Sequence, residues 1–240
     1  MTTQMVFKRY ELKYLLTREQ YEGLKQLMEA HMVLDEYGKH TIRNIYFDTP
    51  DYRLIRRSIE KPCYKEKLRV RSYGDFKDTS KAYVEMKKKY KGVVYKRRLP
   101  LEGIGVETFL EEGKIEQDNN QIAKELSYFM HYYQTLKPAV ALHYEREAYY
   151  GIEDHDFRMT FDQNIRINAT HITLGDEREA VEVLPEGSIL LEVKTAMGIP
   201  QWLLHFFSEH HIFKKSFSKY GTAYLNILLP QQKGGSNHVA

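Results

Sequence analysis

Polar and apolar residues alternate with a period of two over much of this chain, the mark of half-buried β-strands. "VFKRYELKYL" sets Arg9, Glu11 and Lys13 on one face and Tyr10, Leu12 and Tyr14 on the other. The period changes at Thr17, where Thr17 and Gln20 form a capping box and Tyr21, Leu24, Leu27 and Met28 follow at helical spacing. "HTIRNIYFD" predicts a second strand, "TPDY" a turn, and a short segment with Leu54 and Ile55 leads into "YKEKLRVRSYG". "KAYVEMKKKY" and "VVYKRRLPL" flank Lys91-Gly92 and predict a hairpin. Helical spacing returns over roughly 105–112 and 119–133, and a long strand follows Pro138. "FRMTFDQNIRIN" and "HITLG" predict strands around a turn at Asp162 to Asn164. "SILLEVKTA" adds a strand, Pro200 opens a helix, and a last helix covers 218–229. No Pro/Ser linker or repeat interrupts this order. The expectation is one α+β domain over 1–230, with about eight antiparallel strands and four or five helices, and a disordered tail over 231–240.

Reading each strand in steps of two gives the same composition repeatedly. One face carries Asn44, Tyr46 and Asp48; then Lys65, Lys67, Arg69 and Arg71; then Tyr83, Glu85, Lys87 and Lys89. Lys96 and Arg98, Tyr144 and Arg146, Arg158, Thr160 and Asp162, and Glu192 and Lys194 continue it. The opposite faces hold Leu12, Leu68, Val70, Val84, Met86, Met159, Phe161, Leu191 and Val193. One wet face and one core face is the ordinary explanation of such alternation. A wet face, however, usually mixes its charges with Ser, Thr, Gln and Asn, whereas here Arg and Lys dominate. A sheet of this kind can close into a β-barrel tunnel with a polar, cationic lumen and helices packed outside. Arg forks and Lys point charges suit phosphate oxygens.

The net charge of +3 implies no partner, but its distribution does. Between Tyr64 and Arg98 there are 13 Lys/Arg and four Asp/Glu, so this stretch carries a surplus of nine cations. A single cysteine, Cys63, excludes an internal disulfide and suits a reducing compartment, so a cytoplasmic location is expected. Neither a secretory signal nor a run of 18 apolar residues is present. His31, His205, His210 and His211 lack metal-ligand spacing, and no glycine-rich phosphate loop occurs. Glu11, Glu85 and Glu192 share faces with the cations. Nucleic-acid grooves have no need of them, so no DNA partner is expected. Mn²⁺ or Mg²⁺ bound with a triphosphate does need one or two carboxylates. Clamping cations with a carboxylate-held metal is equipment for phosphoryl transfer.

"RYELK", "LRVRSYG", "VEMKKK", "YERE", "RMTFD", "LLEVK" and "SFSKYG" occur in this order. Together they resemble the VTC domain, the polyphosphate polymerase domain within the triphosphate tunnel metalloenzymes. The resemblance implies a metal-dependent phosphotransferase that moves the γ-phosphate of ATP onto a growing polyphosphate chain, with ATP and polyphosphate or pyrophosphate as partners. By matching motif, Lys13, Arg69, Arg71, Lys87, Lys96, Arg146, Arg158 and Lys219 would contact phosphates, Ser218 would add a hydroxyl, and Glu192 would hold the metal. Glu11 and Glu85 would join it or orient their basic neighbours. Arg9, Lys67, Lys194 and Tyr144, on the same faces, are further substrate-binding candidates. Hydrolases of this superfamily begin with E-x-E-x-K. Arg9 stands at the first of those positions and favours the polymerase branch. Eukaryotic members often add an inositol-phosphate-sensing SPX domain and membrane helices. Neither is read here, so delivery across a membrane would need a membrane partner protein. Two other function classes stay open: a tunnel phosphohydrolase acting on triphosphate or nucleotides, and a non-catalytic module that binds polyphosphate or RNA.

Overall fold

The computed structural model describes residues 10–76, 81–91, 93–115, 120–175 and 177–235. The period-two segments form β1 (Tyr10–Leu16), β2 (Met32–Leu34), β3 (His40–Asp48), β4 (Tyr64–Tyr73) and β5 (Lys81–Tyr90). They continue as β6 (Val93–Glu102), β7 (Lys137–Gly151), β8 (Arg158–Asn168), β9 (Val181–Glu182) and β10 (Ile189–Thr195). The helices are α1 (Arg18–Met28), α2 (Arg53–Ile59), α3 (Ile104–Glu112), α4 (Gln121–Tyr133) and α5 (Gln201–Glu209). At the C-terminal end α6 (Lys219–Ala223) passes through a π-helical turn, Tyr224–Leu228, into α7 (Leu229–Gly235). This is an α+β fold built on one antiparallel sheet. Its main path has eight strands in the order β1-β10-β8-β7-β3-β4-β5-β6, with β2 on β7 and β9 on β8. Among the described residues no helix is long and apolar enough to cross a membrane.

The chain divides into two compact units. The first holds the described residues up to Thr41, with Tyr144–Ile165 and Leu184–Phe217. The second holds Ile42–His143, Arg166–Val183 and the described residues from Ser218 on. Each has its own core. In the first, Tyr21, Leu24 and Met28 of α1 and Leu203 and Phe206 of α5 cover Phe161, Leu191 and Val193 of the sheet. In the second, Phe109 of α3 and Ala123, Leu126 and Phe129 of α4 cover Leu68, Val84, Met86 and Leu99. Fully burying one such side chain stabilises the fold by about 1.5–3 kcal/mol. The apolar faces read from the alternation are therefore the core faces, and the charged faces lie opposite them.

Local signals explain several boundaries. Thr17 Oγ1 accepts from Gln20 N at 3.2 Å and Gln20 Oε1 accepts from Thr17 N at 3.0 Å, closing the capping box of α1. Asp48 has no exposure. It accepts from the backbone N–H groups of Thr49, Leu54 and Ile55 and so ends β3 while fixing the start of α2. The turn expected at Asp162 to Asn164 is not formed, and β8 runs through it. Asp162 is a buried partner of Arg146, and Asn164 absorbs the local bend with φ 51° while donating to Glu145 Oε2 at 2.8 Å. "HITLG" is not a strand either. Asn168 Oδ1 accepts from Thr170 N and His171 N, and this side-chain turn ends β8 before that segment. Helix α7 continues to Gly235, past the helix end read at 229.

Replacing Thr17 by Ala should cost about 1 kcal/mol of stability through loss of the capping bond. Urea unfolding should show a lower midpoint at an unchanged slope.

Candidate functional site

In the second unit the charged faces of β4, β5 and β6 lie in register. Lys67, Lys87 and Lys96 stand directly opposite one another across the three strands. One step along, Tyr46, Arg69, Glu85 and Arg98 form the next row. Like charges directly opposite on neighbouring strands repel, so this lattice needs a counter-charge. Glu85 supplies part of it. Only 2% of its surface is exposed. Its Oε2 accepts from Arg69 Nε at 2.8 Å and Nη2 at 2.6 Å, and its Oε1 pairs with Lys96 Nζ at 2.7 Å and Arg98 Nε at 3.4 Å. Burial pushes the Glu85 carboxyl up, but the charges of Arg69, Arg71 and Lys96 outweigh it and hold it well below the usual carboxylate range.

The second unit places further groups around this lattice. Arg71 Nε donates to Asn44 Oδ1 at 2.9 Å, and Asn44 Nδ2 is itself held by Leu142 O at 3.0 Å. Arg98 stacks over Tyr83 at 3.7 Å and donates to the Tyr73 hydroxyl at 2.8 Å. Ser218 caps α6 by accepting from Gly221 N at 3.2 Å, and the same oxygen accepts from Lys67 Nζ at 3.0 Å. Lys219, the first residue of α6, is buried. Arg69, Arg71, Lys96 and Arg98 thus contact one carboxylate, with Lys67 and Lys87 in the neighbouring row and Arg71, Asn44 and Glu85 buried. Arg71 and Glu85 are buried while Lys87, Lys96 and Arg98 are exposed, so the cation excess is anchored in the fold and open to an anion from solvent.

The first unit has a different balance. Lys13 lies between two carboxylates, 3.1 Å from Glu11 Oε1 and 3.4 Å from Glu192 Oε1. Arg146 grips buried Asp162 with two parallel bonds, Nε to Oδ1 at 2.6 Å and Nη2 to Oδ2 at 2.7 Å, and its Nη2 is 3.6 Å from Glu192 Oε2. Its guanidinium sits 5.2 Å from the centre of the Tyr144 ring. Lys194 pairs across strands with Glu11 on one side and with exposed Arg158 on the other. Carboxylates and cations are nearly equal in number here.

The model of the VTC domain matches residues 8–228, most of the chain. The chain belongs to the VTC domain family. The VTC fold has solved counterparts. A candidate adenylate cyclase from Bacillus halodurans is 16% identical, with 90% of this chain and 96% of that one covered at a TM-score of 0.55. A candidate adenylyl cyclase from Hippeastrum, described as having a dominant triphosphatase activity, is 16% identical, with 88% and 92% covered at a TM-score of 0.51. At that identity both show the fold alone. No curated protein matches the chain.

Within this VTC domain the residues expected at the site fall into two sets. Arg69, Arg71, Lys67, Lys87, Lys96, Glu85, Ser218 and Lys219 belong to the second unit. Glu11, Lys13, Tyr144, Arg146, Arg158, Glu192 and Lys194 belong to the first. Arg9 lies outside the described residues. The site-residue reading overlooked Arg98, which touches Glu85, and Tyr46, whose hydroxyl accepts from Arg69 Nη1 at 3.1 Å. Both stood on the charged faces in the alternation, and that was the signal available. Asn44 and Asp162 carried the same signal.

Glu85→Gln should lower stability at pH 7 by roughly 3–5 kcal/mol, because it leaves buried cations uncompensated. The Glu85 carboxyl is depressed in the fold, so its contribution is complete above about pH 4.5 and is lost as pH falls below that. Chemical unfolding at pH 7 and pH 3 should therefore show wild type and variant converging at the acid end.

Proposed function

We propose that this VTC domain is a polyphosphate polymerase that transfers the γ-phosphate of ATP to a growing polyphosphate chain. The observation that carries the reading is the cation lattice of the second unit. Lys67, Lys87 and Lys96 repeat across strands, and Lys67, Arg69 and Arg71 repeat along one. A repeat in two directions suits a linear polyanion better than a single phosphate. The family match runs through both units.

Among the described residues no three His, Cys, Asp or Glu side chains converge as a metal cage. Mg²⁺ and Mn²⁺ in phosphoryl transfer need only one or two carboxylates, the rest coming from phosphate oxygens and water. Glu192, with Glu11 beside the same lysine, fits that requirement. Glu85 does not, since cations stand at 2.6 and 2.7 Å from its two oxygens, whereas those at Glu192 stand at 3.4 and 3.6 Å, and its role is to orient Arg69, Lys96 and Arg98. When bound, the ion neutralises charge on the phosphate oxygens. In the second unit Arg69 and Arg71 stabilise negative charge on phosphate oxygens; in the first, Arg146 and Arg158 supply positive charge beside the carboxylates, Tyr144 supports Arg146 by stacking, and Lys13 balances the carboxylates. Lys87, Lys96, Lys194 and Lys219 guide the chain. A phosphate terminus is already ionised near neutral pH, so the acceptor requires no general base.

A phosphohydrolase would use the same clamp and admit water in place of the chain. The dominant triphosphatase activity described for the Hippeastrum protein keeps this second reading in view. Incubation with γ-labelled ATP and Mn²⁺, seeded with pyrophosphate, separates the two. The expected product is a ladder of long labelled polymer. Free labelled phosphate alone would replace the polymerase by the hydrolase. Arg69→Ala should lower turnover by about 10²-fold or more while leaving the fold intact, and an unchanged rate would remove Arg69 from the mechanism.

A further inference from the structure

Tyr46 sits on the charged face of β3 and is buried, yet it belongs to neither apolar core. Its ring stacks on Tyr220 of α6, with centroids 4.8 Å apart and planes inclined by 25°. The Tyr220 hydroxyl donates to buried Asp48 Oδ2 at 3.0 Å, so the second ring is held from behind. The Tyr46 oxygen accepts from Arg69 Nη1, while Arg69 Nε and Nη2 both go to Glu85. Two partners thus aim this guanidinium, and Tyr46 is one of them.

The Tyr46 hydroxyl also carries a hydrogen of its own. Among the described residues no acceptor for it is found. The charged groups facing it are Lys67, Arg69 and Arg71 of β4, none of which can accept a hydrogen bond. From α6 Tyr220 faces it, its hydroxyl already committed to Asp48, and the neighbouring buried Lys219 is a donor only. A buried donor aimed among cations calls for an oxyanion. Resting on the phosphate-clamp reading above, we propose that Tyr46 donates a hydrogen bond to a phosphate oxygen of the bound polyanion and, through Arg69, sets the direction of the clamp.

The electrostatics give this role a readable signature. Burial pushes the Tyr46 phenol up, but the charges of Arg69, Lys67 and Arg71 outweigh it and bring it down to about 8. Tyr21, Tyr64, Tyr149 and Tyr220 are pushed the other way, by burial first and then by neighbouring carboxylates. Below pH 8 the phenol is neutral and donates. Above it, the phenolate repels a phosphate, so binding weakens with rising pH and takes up a proton. Lys96, lowered by burial, also loses charge at alkaline pH, which is why a comparison with Tyr46→Phe is needed to isolate the phenol.

The test uses the whole protein and inorganic tripolyphosphate as probe. Affinity is measured by calorimetry from pH 7 to 9.5, and phenolate absorbance is followed over the same range. Tyr46→Phe should bind about tenfold to a hundredfold more weakly at pH 7. It should also lack an absorbance step near pH 8 that wild type shows, and tripolyphosphate should move the wild-type step upward. Equal affinities, or a wild-type step that tripolyphosphate leaves in place, would overturn the proposal while the clamp stands. No binding of tripolyphosphate by wild type at any pH would overturn the clamp reading itself. If Tyr46→Phe fails to fold, the wild-type titration with and without tripolyphosphate decides alone.

Discussion

Electrostatic repulsion among the cations of β4, β5 and β6 is the constraint on which the second unit depends, and Glu85 is the residue that answers it. Two unit charges 4 Å apart at a protein surface interact by about 4 kcal/mol, and the strand register sets several like-charged side chains directly opposite one another. One carboxylate with Arg69 and Arg71 on one strand and Lys96 and Arg98 on another converts part of that repulsion into attraction. It cannot neutralise all of it. The surplus charge holds affinity in reserve for a polyanion, because binding relieves a strain that folding left in place. The orientation of Arg69 follows from the same carboxylate, and the placement of Tyr46 follows from Arg69.

The first unit solves the opposite problem. There carboxylates nearly match cations, and the short contacts of Lys13 and Arg146 show charges satisfied within the protein. Such a balanced cluster gains little from a bare phosphate but retains oxygens with which to receive a cation. The asymmetry between the units is therefore chemical: one offers excess positive charge, the other a sheltered set of acidic oxygens.

Much of this was legible in the residues. Period-two alternation identified the strands of the main path and separated their faces, because burial on one side of a sheet imposes that period. Thr17 and Gln20 marked the start of α1 because the capping box is a local device. The features that escaped depend on distant partners. Asp162, Gln163 and Asn164 look like turn residues, but Asp162 pairs with Leu190 of β10 and is gripped by Arg146, and β8 stays extended. Tyr46 looks like any strand tyrosine until Arg69 and Tyr220 are placed beside it. Burial of Arg71 and Glu85 on the charged face is likewise invisible in a sequence, since it belongs to the assembled sheet.

Strand β6 stands at one end of the described strand order, and it carries Lys96, Arg97, Arg98 and Pro100. An outer strand offers unpaired backbone groups to any other chain, and charged side chains and proline are the usual defence against such pairing. In this strand the defence and the clamp share the same residues. On the proposed function these positions answer two demands at once, binding of a polyanion and solubility. A lineage that lost the phosphate chemistry would still be pressed to keep β6 basic, so the positive charge of this strand is a poorer marker of retained activity than Glu85 or Tyr46.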